Sequence, residues 1–86
     1  MSNPLTLTYD VTSNLMTCTF NPGQGFDPPS IYTFEVSPDQ NVWTTVQSGS
    51  SNTCSYTPSG VEFAQCYGGG YNPPKIPPPK SNIIQL

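Results

Sequence analysis

The sequence predicts an all-β protein, a seven-stranded antiparallel β-sandwich formed by a single domain over residues 1–86. Short segments of alternating apolar and polar residues recur at intervals of roughly ten residues, as they do in sandwiches and barrels. Proline, glycine, asparagine and aspartate separate these segments, and no apolar pattern of helical period is found. A chain of this mass buries roughly 60% of its unfolded surface, which suffices for one small core.

The first two predicted strands form a hairpin. In residues 5–11 the apolar side chains lie at odd positions, and in residues 15–20 one face carries Met16, Cys18 and Phe20. A period of two is typical of strands with one buried face. The polar residues between the two segments supply the turn.

Three middle strands are predicted at residues 31–37, 42–47 and 53–57. In the first of them, Tyr32, Phe34 and Val36 face the same way. Residues 38–41 predict a tight reversal, because proline presets φ and Asp and Asn tolerate turn conformations. Residues 21–30, before the strand at 31–37, hold three prolines and two glycines and predict an irregular connection.

The last two strands are predicted at residues 61–67 and 81–86. In the former, Val61, Phe63 and Tyr67 share a parity that Gln65 interrupts. Between the two strands, residues 68–80 contain three glycines and five prolines. Such a composition predicts a long loop or arm within the domain.

The order of these segments resembles that of a fibronectin type III domain. The resemblance rests on residues 15–22 (B strand), 32–43 (C and C′ strands), 56–63 (E–F corner) and 81–86 (G strand). Phe20 stands where the family usually has a core tryptophan. Phe63 stands where a tyrosine is usual, so the tyrosine-corner hydrogen bond cannot form. The resemblance implies a fibronectin type III-like sandwich whose F–G loop is the long Gly/Pro-rich segment.

Charge and composition exclude several functions. Lys75 and Lys80 are the only cations, and the net charge of −3 is unsuited to nucleic acid. The chain has no histidine, and its five carboxylates are predicted on loops and outward faces, so neither an enzyme nor a cofactor is expected. Asp27 and Asp39 are interpreted as turn formers and not as calcium ligands. No segment reaches the roughly 20 apolar residues of a membrane helix.

The three cysteines are Cys18, Cys54 and Cys66. An odd number argues against a disulfide-stapled secreted scaffold, and we interpret them as small core side chains. A disulfide from Cys18 to Cys54 or to Cys66 is the alternative, whereas a zinc site would need a carboxylate as fourth ligand. The chain begins without the pattern of a secretory signal, which predicts synthesis in the cytoplasm or prior processing.

The candidate partner-binding residues are aromatic or belong to the proline-rich tract. Tyrosines beside glycines combine contact area with an adaptable backbone, the single tryptophan offers a large amphipathic ring, and the tract favours a stiff polyproline II conformation. The candidates are Trp43, Tyr67, Tyr71, Pro73, Pro74, Ile76, Pro77, Pro78 and Pro79.

The sequence leads to a structural or binding module as the expected function. The first hypothesis is a virion decoration or cement protein, made in the host cytoplasm, that docks on a capsid or tail protein at the virion surface. A homo-oligomer is compatible with this hypothesis, because symmetric particles collect decorations around local axes. A low charge and many hydroxyl and amide side chains motivate it, and sandwiches of the resembling family recur on phage particles. The alternative is an extracellular adhesion or glycan-binding module that uses the exposed aromatics. A third is a ligand for SH3-like domains.

Overall fold

A computed structural model describes residues 4–22, 27–73 and 77–86, which form seven β-strands and no helix. The strands are β1 (Leu5–Asp10), β2 (Leu15–Phe20), β3 (Ile31–Ser37), β4 (Thr44–Gly49), β5 (Thr53–Ser55), β6 (Phe63–Gly69) and β7 (Ile84–Gln85). The predicted all-β class and the number of strands are confirmed for these residues. The same ranges hold no helix of the length and apolarity that crossing a membrane requires.

The strands form two antiparallel sheets that share one core. One sheet has the order β1-β2-β5, and the other has the order β4-β3-β6-β7. The first sheet contributes Leu5, Leu7, Met16, Cys18 and Cys54 to the core, and the second contributes Phe34, Val36, Ala64 and Cys66. Because both sheets supply fully buried side chains to the same cluster, the core lies between them.

All three cysteines are buried in this core, and all three thiols are free. The interpretation as core side chains is therefore confirmed, and neither disulfide alternative is present. The thiols of Cys18 on β2 and Cys66 on β6 interact across the core, from one sheet to the other. Interaction with the Cys18 thiol, together with burial, raises the pKa of Cys66. Burial alone raises the pKa of Cys54. The neutral thiols of Cys54 and Cys66 therefore behave here as small apolar groups.

Strand β6 begins and ends two residues later than predicted, and it turns its small residues to the core. Its core-facing residues are Ala64, Cys66 and Gly68, all of them small and buried. Phe63, Gln65 and Tyr67 lie on the outer face of the four-stranded sheet. The reason is volume, because the facing sheet already fills the core with leucine and methionine, which leaves room only for small side chains.

Gln65 is buried on this outer face, with 2% of its surface exposed. Its Nε2 donates to Glu35 Oε1 and to the hydroxyl of Tyr67, each at 2.9 Å. Burial, followed by Glu35, raises the pKa of Tyr67, which keeps its hydroxyl neutral. The amide is thus satisfied by its neighbours and stabilises the sheet away from the core.

The turn between β3 and β4 delays the start of β4 from the predicted Val42 to Thr44. The backbone N–H groups of Asn41 and Val42 donate to Asp39 Oδ1 at 2.9 and 3.1 Å, and so are not available to a strand ladder. These bonds, with that of the Ser37 hydroxyl, lower the pKa of Asp39. Asp39 is therefore a turn former, as the sequence predicted.

The connection between β5 and β6 is held by a bond the sequence did not reveal. Tyr56 donates its hydroxyl to the carboxylate of Glu62, at 2.9 Å to Oε1 and 2.8 Å to Oε2. The N–H of Ser59 also donates to Glu62 Oε1 at 2.8 Å. Burial, followed by Glu62, raises the pKa of Tyr56 to about 12. These charge-assisted bonds stabilise the connection that leads into β6.

The closing strand is shorter than the predicted residues 81–86, and side chains replace part of its ladder. The hydroxyl of Ser81 accepts a bond from the N–H of Cys66 at 2.9 Å. Asn82 reaches the free edge of β1, where it accepts from the N–H of Leu7 at 2.8 Å and donates to its carbonyl at 3.3 Å. Regular pairing with β6 is confined to β7.

Candidate partner-binding end

The two Pro/Gly-rich segments of the chain emerge side by side at one end of the molecule. Strands β3 and β6 are antiparallel, and Ile31 at the start of β3 pairs with Gly69 at the end of β6. The residues that precede β3 and those that follow β6 must therefore leave the sheet at the same end. Segment 27–30 and segment 70–73 form what we call the loop end.

The Gly/Pro-rich stretch 68–80, to which segment 70–73 belongs, is anchored to the sheet where it leaves and where it returns to β6. Gly68 packs between two buried prolines, and a Cβ at this position would lie 2.9 Å from Pro29 Cβ and 3.2 Å from Pro79 Cγ. The N–H of Gly68 donates to the carbonyl of Pro79 at 2.8 Å. Only a glycine permits this approach of the two prolines. Pro79, one of the expected partner-binding residues, is buried at this base.

Hydrogen bonds join the two segments of the loop end. The hydroxyl of Tyr71 donates to the carbonyl of Asp27 at 2.8 Å. Ser30 donates its N–H to the carbonyl of Gly69 at 3.1 Å and its hydroxyl to that of Gly70 at 3.4 Å. Gly70 has a φ of +81°, which side chains of L-residues rarely adopt. The chain thereby turns from the strand toward Tyr71.

A pocket of about 280 Å³ lies between the segments. Asp27, Pro28 and Ser30 line one side, and residues 70–73 line the other. Burial, followed by the proximity of Tyr32 and Asp27, raises the pKa of Tyr71. The pocket thus combines an aromatic ring with a nearby acidic side chain, and its walls come from both segments.

The predicted binding residues are only partly brought together. Tyr71 and Pro73 line the pocket, and Pro77 and Pro78, further along the Gly/Pro-rich stretch 68–80, are exposed. Pro74 and Ile76 lie outside the described residues.

The other two aromatic candidates lie apart from the pocket. Tyr67 is on the outer face of the sheet, where Lys80 Nζ stands 5.8 Å from the centroid of its ring. Trp43 follows the β3–β4 turn, which lies beyond Ser37, at the opposite end of β3 from Ile31. A seven-residue strand separates the ends by roughly 20 Å. Trp43 and Tyr71 therefore belong to different surfaces.

Sequence reasoning missed Asp27, Pro28 and Ser30 as members of this site. The sequence predicts residues 21–30 as an irregular connection in which Asp27 is a turn former. The information that places them at this site is strand order, because two loops that adjoin neighbouring antiparallel strands at the same end of the sheet lie side by side. No single residue of the segment carries that information.

Comparison with known proteins finds no matching family model, no matching curated protein and no matching solved structure. Within the ranges that the structure describes, no group of three or more Cys, Asp or Glu residues is arranged to hold a metal ion. The pocket of the loop end and the residues that line it are therefore the features from which a function can be inferred.

Proposed function

We propose that this chain is a non-enzymatic binding module of the fibronectin type III-like class, and that its loop end docks on a capsid or tail protein at the surface of a virus particle. The observation that carries the proposal is the meeting of two Pro/Gly-rich segments around one pocket, joined by the bond from Tyr71 to Asp27. Binding loops presented by a rigid sandwich are a common way to recognise a protein.

The arrangement of the strands supports the class. Sheets of order β1-β2-β5 and β4-β3-β6-β7 are those that the resemblance implies, with β6 and β7 as its F and G strands. The segment between Gly69 and Ile84 then corresponds to the F–G loop, and residues 21–30 correspond to the B–C loop.

A binding role, and not catalysis, fits the use of the acidic side chains. Four of the five carboxylates accept hydrogen bonds within the fold, and they are Asp10, Glu35, Asp39 and Glu62. Such bonds stabilise turns and strands, and they leave no second free acid beside Asp27 for general acid–base chemistry. Free thiols also suit synthesis in a reducing cytoplasm before assembly on the particle.

The positions of the aromatics favour this function over glycan binding. A glycan platform needs exposed rings on one surface, yet Trp43 and Tyr71 lie at opposite ends of β3 and the ring of Tyr67 faces Lys80. We therefore place the docking surface at the loop end alone. A symmetric particle would present several equivalent sites for it, so decoration as a homo-oligomer follows naturally from this proposal.

The test is co-sedimentation of the purified chain with particles encoded by the genome that carries its gene. We expect saturable retention, and we expect its loss when residues 71–78 are replaced by a Gly/Ser segment of equal length. The matched control is Trp43→Ala, which changes the opposite end and should retain binding. Absence of retention of the unmodified chain, or full retention after the loop replacement, would overturn the proposal.

A further inference from the structure

Asp27 differs from the other four acidic side chains, which accept hydrogen bonds from described residues. Within the described part of the chain its side chain accepts no hydrogen bond, although its backbone carbonyl accepts one from Tyr71. The residue is exposed and lines the pocket of the loop end. An ionised carboxylate with unfilled acceptor capacity favours a donor of positive charge.

The other polar groups of the pocket reinforce this preference. The hydroxyls of Tyr71 and Ser30 already donate to the carbonyls of Asp27 and Gly70. Asn72 also lines the pocket, and its side-chain amide includes an acceptor oxygen. Tyr71 also supplies an aromatic ring, which attracts a cation held over its face. The pocket therefore presents acceptors and a ring to whatever enters it.

The cationic side chain described in the structure is not positioned to fill the pocket. Lys80 stands over Tyr67, on the outer face of the four-stranded sheet. Since the chain as a whole carries a net charge of −3, a basic group on a partner is complementary to it.

We propose that the pocket of the loop end binds an arginine side chain of the partner protein, with its guanidinium against the Asp27 carboxylate and beside the Tyr71 ring. Arginine fits better than lysine because its planar fork of five donors matches several acceptors and stacks on aromatic rings. A pocket of about 280 Å³ has room for such a side chain. This inference rests on the proposed function and specifies the chemistry of the partner.

The test uses N-acetyl-arginine-methylamide as the probe and amide shifts of the isotope-labelled full chain as the readout. We expect saturable shifts at Ser30, Gly70 and Tyr71, with a dissociation constant in the millimolar range, as suits one side chain. The citrulline analogue has nearly the same shape without the charge, and we expect it to produce no saturable shifts. Equal shifts with both probes, or none with arginine, would overturn the inference.

Variants then assign the charge to its residue. Asp27→Asn removes the charge but leaves the carbonyl that binds Tyr71, and we expect it to weaken arginine binding about three- to fivefold, as for a partly exposed ion pair. Asp10→Asn is the control, because it removes an equal charge at a distant place. Asp10 lies at the turn between β1 and β2, before the start of β2, whereas the segment with Asp27 follows the end of β2. An unchanged affinity in Asp27→Asn, or an equal loss in Asp10→Asn, would count against the proposal.

The particle assay separates this inference from the proposed function. If particles retain the chain through the loop end but capped arginine does not bind, the arginine pocket is wrong and the docking function stands. If capped arginine binds with the expected dependence on Asp27 but particles do not retain the chain, the docking function is wrong and the pocket chemistry stands.

Discussion

At the scale of single residues, Tyr56 stabilises the connection to β6 through its hydroxyl. We expect Tyr56→Phe to lower the free energy of unfolding by about 1–2 kcal/mol, because both bonds to Glu62 are lost and the ring remains. Chemical denaturation measures the change. Tyr32→Phe is the control, since the Tyr32 hydroxyl makes no hydrogen bond within the described residues, and its effect should be below about 0.5 kcal/mol. Equal effects of the two variants would refute the role of Glu62.

The same tyrosine predicts a loss of stability at alkaline pH. Its pKa of about 12 in the folded protein lies above the ordinary value of 10.0. The folded state therefore holds this proton more tightly than the unfolded state does, and the resulting stability is complete below pH 10 and lost as the pH rises from 10 to 12. Denaturation midpoints across this range should fall more steeply for the natural chain than for Tyr56→Phe. Parallel curves would contradict the assignment.

At the scale of elements, the end of β6 depends on a glycine that faces the core side. We expect Gly68→Ala to destabilise the fold by about 1–3 kcal/mol, because the new methyl group meets the rigid rings of Pro29 and Pro79. Gly69→Ala is a matched control, since its Cβ would lie 3.7 Å from the nearest atom, in ordinary contact. Thermal denaturation compares the two. A Gly68→Ala protein as stable as the control would show that the prolines do not enclose this position.

The edge of β1 depends on Asn82 in a similar way. Asn82→Ala removes both bonds to Leu7 and leaves the N–H of a buried residue without a partner, so we expect a loss of about 1–3 kcal/mol. Asn82→Asp keeps the acceptor but not the donor and should fall between the two proteins in a urea titration. If Asn82→Ala matched the natural chain within about 0.5 kcal/mol, Asn82 would not be needed at this edge.

The elements also show what the sequence could and could not predict. Alternation located all seven strands, because each has at least one apolar face of regular period. It did not indicate which face of β6 is turned to the core, where the small side chains lie inside and large ones such as Phe63 and Tyr67 lie outside. It placed β4 too early, because a turn held by Asp39 occupies backbone donors that the β-branched Val42 would otherwise bring to a strand. Volume matching and turn bonds depend on tertiary contacts that no local pattern contains.

The candidate site was predictable in part for the same reason. Tyr71 and Pro73 stand out by composition, and the structure places both at the pocket. Asp27 and Ser30 do not stand out, because their role arises only when the pairing of β3 with β6 brings a second loop beside Tyr71. Trp43 was chosen for its chemistry, and its position in the chain gave no indication that it lies at the other end of β3.

At the scale of the whole molecule, the three cysteines report on global unfolding. They come from both sheets and are all buried in one core, so no local opening should expose all of them. We expect a disulfide reagent such as dithionitrobenzoate to modify no thiol rapidly in the native protein and three after denaturation. The rate in native buffer should rise with urea in parallel with unfolding. Rapid native reaction of any thiol would contradict the packing described for the core.

The fastening of Gly68 between Pro29 and Pro79 has a consequence for how this protein can evolve. Because the base of the long segment is closed by the sheet, a change of length beyond it alters mainly the entropy of loop closure, and a doubling costs only about 0.6 kcal/mol. Changes of sequence and length in that segment can thus accumulate while the core sequence stays as it is. Lineages of this protein should therefore diverge fastest between Gly70 and Pro78.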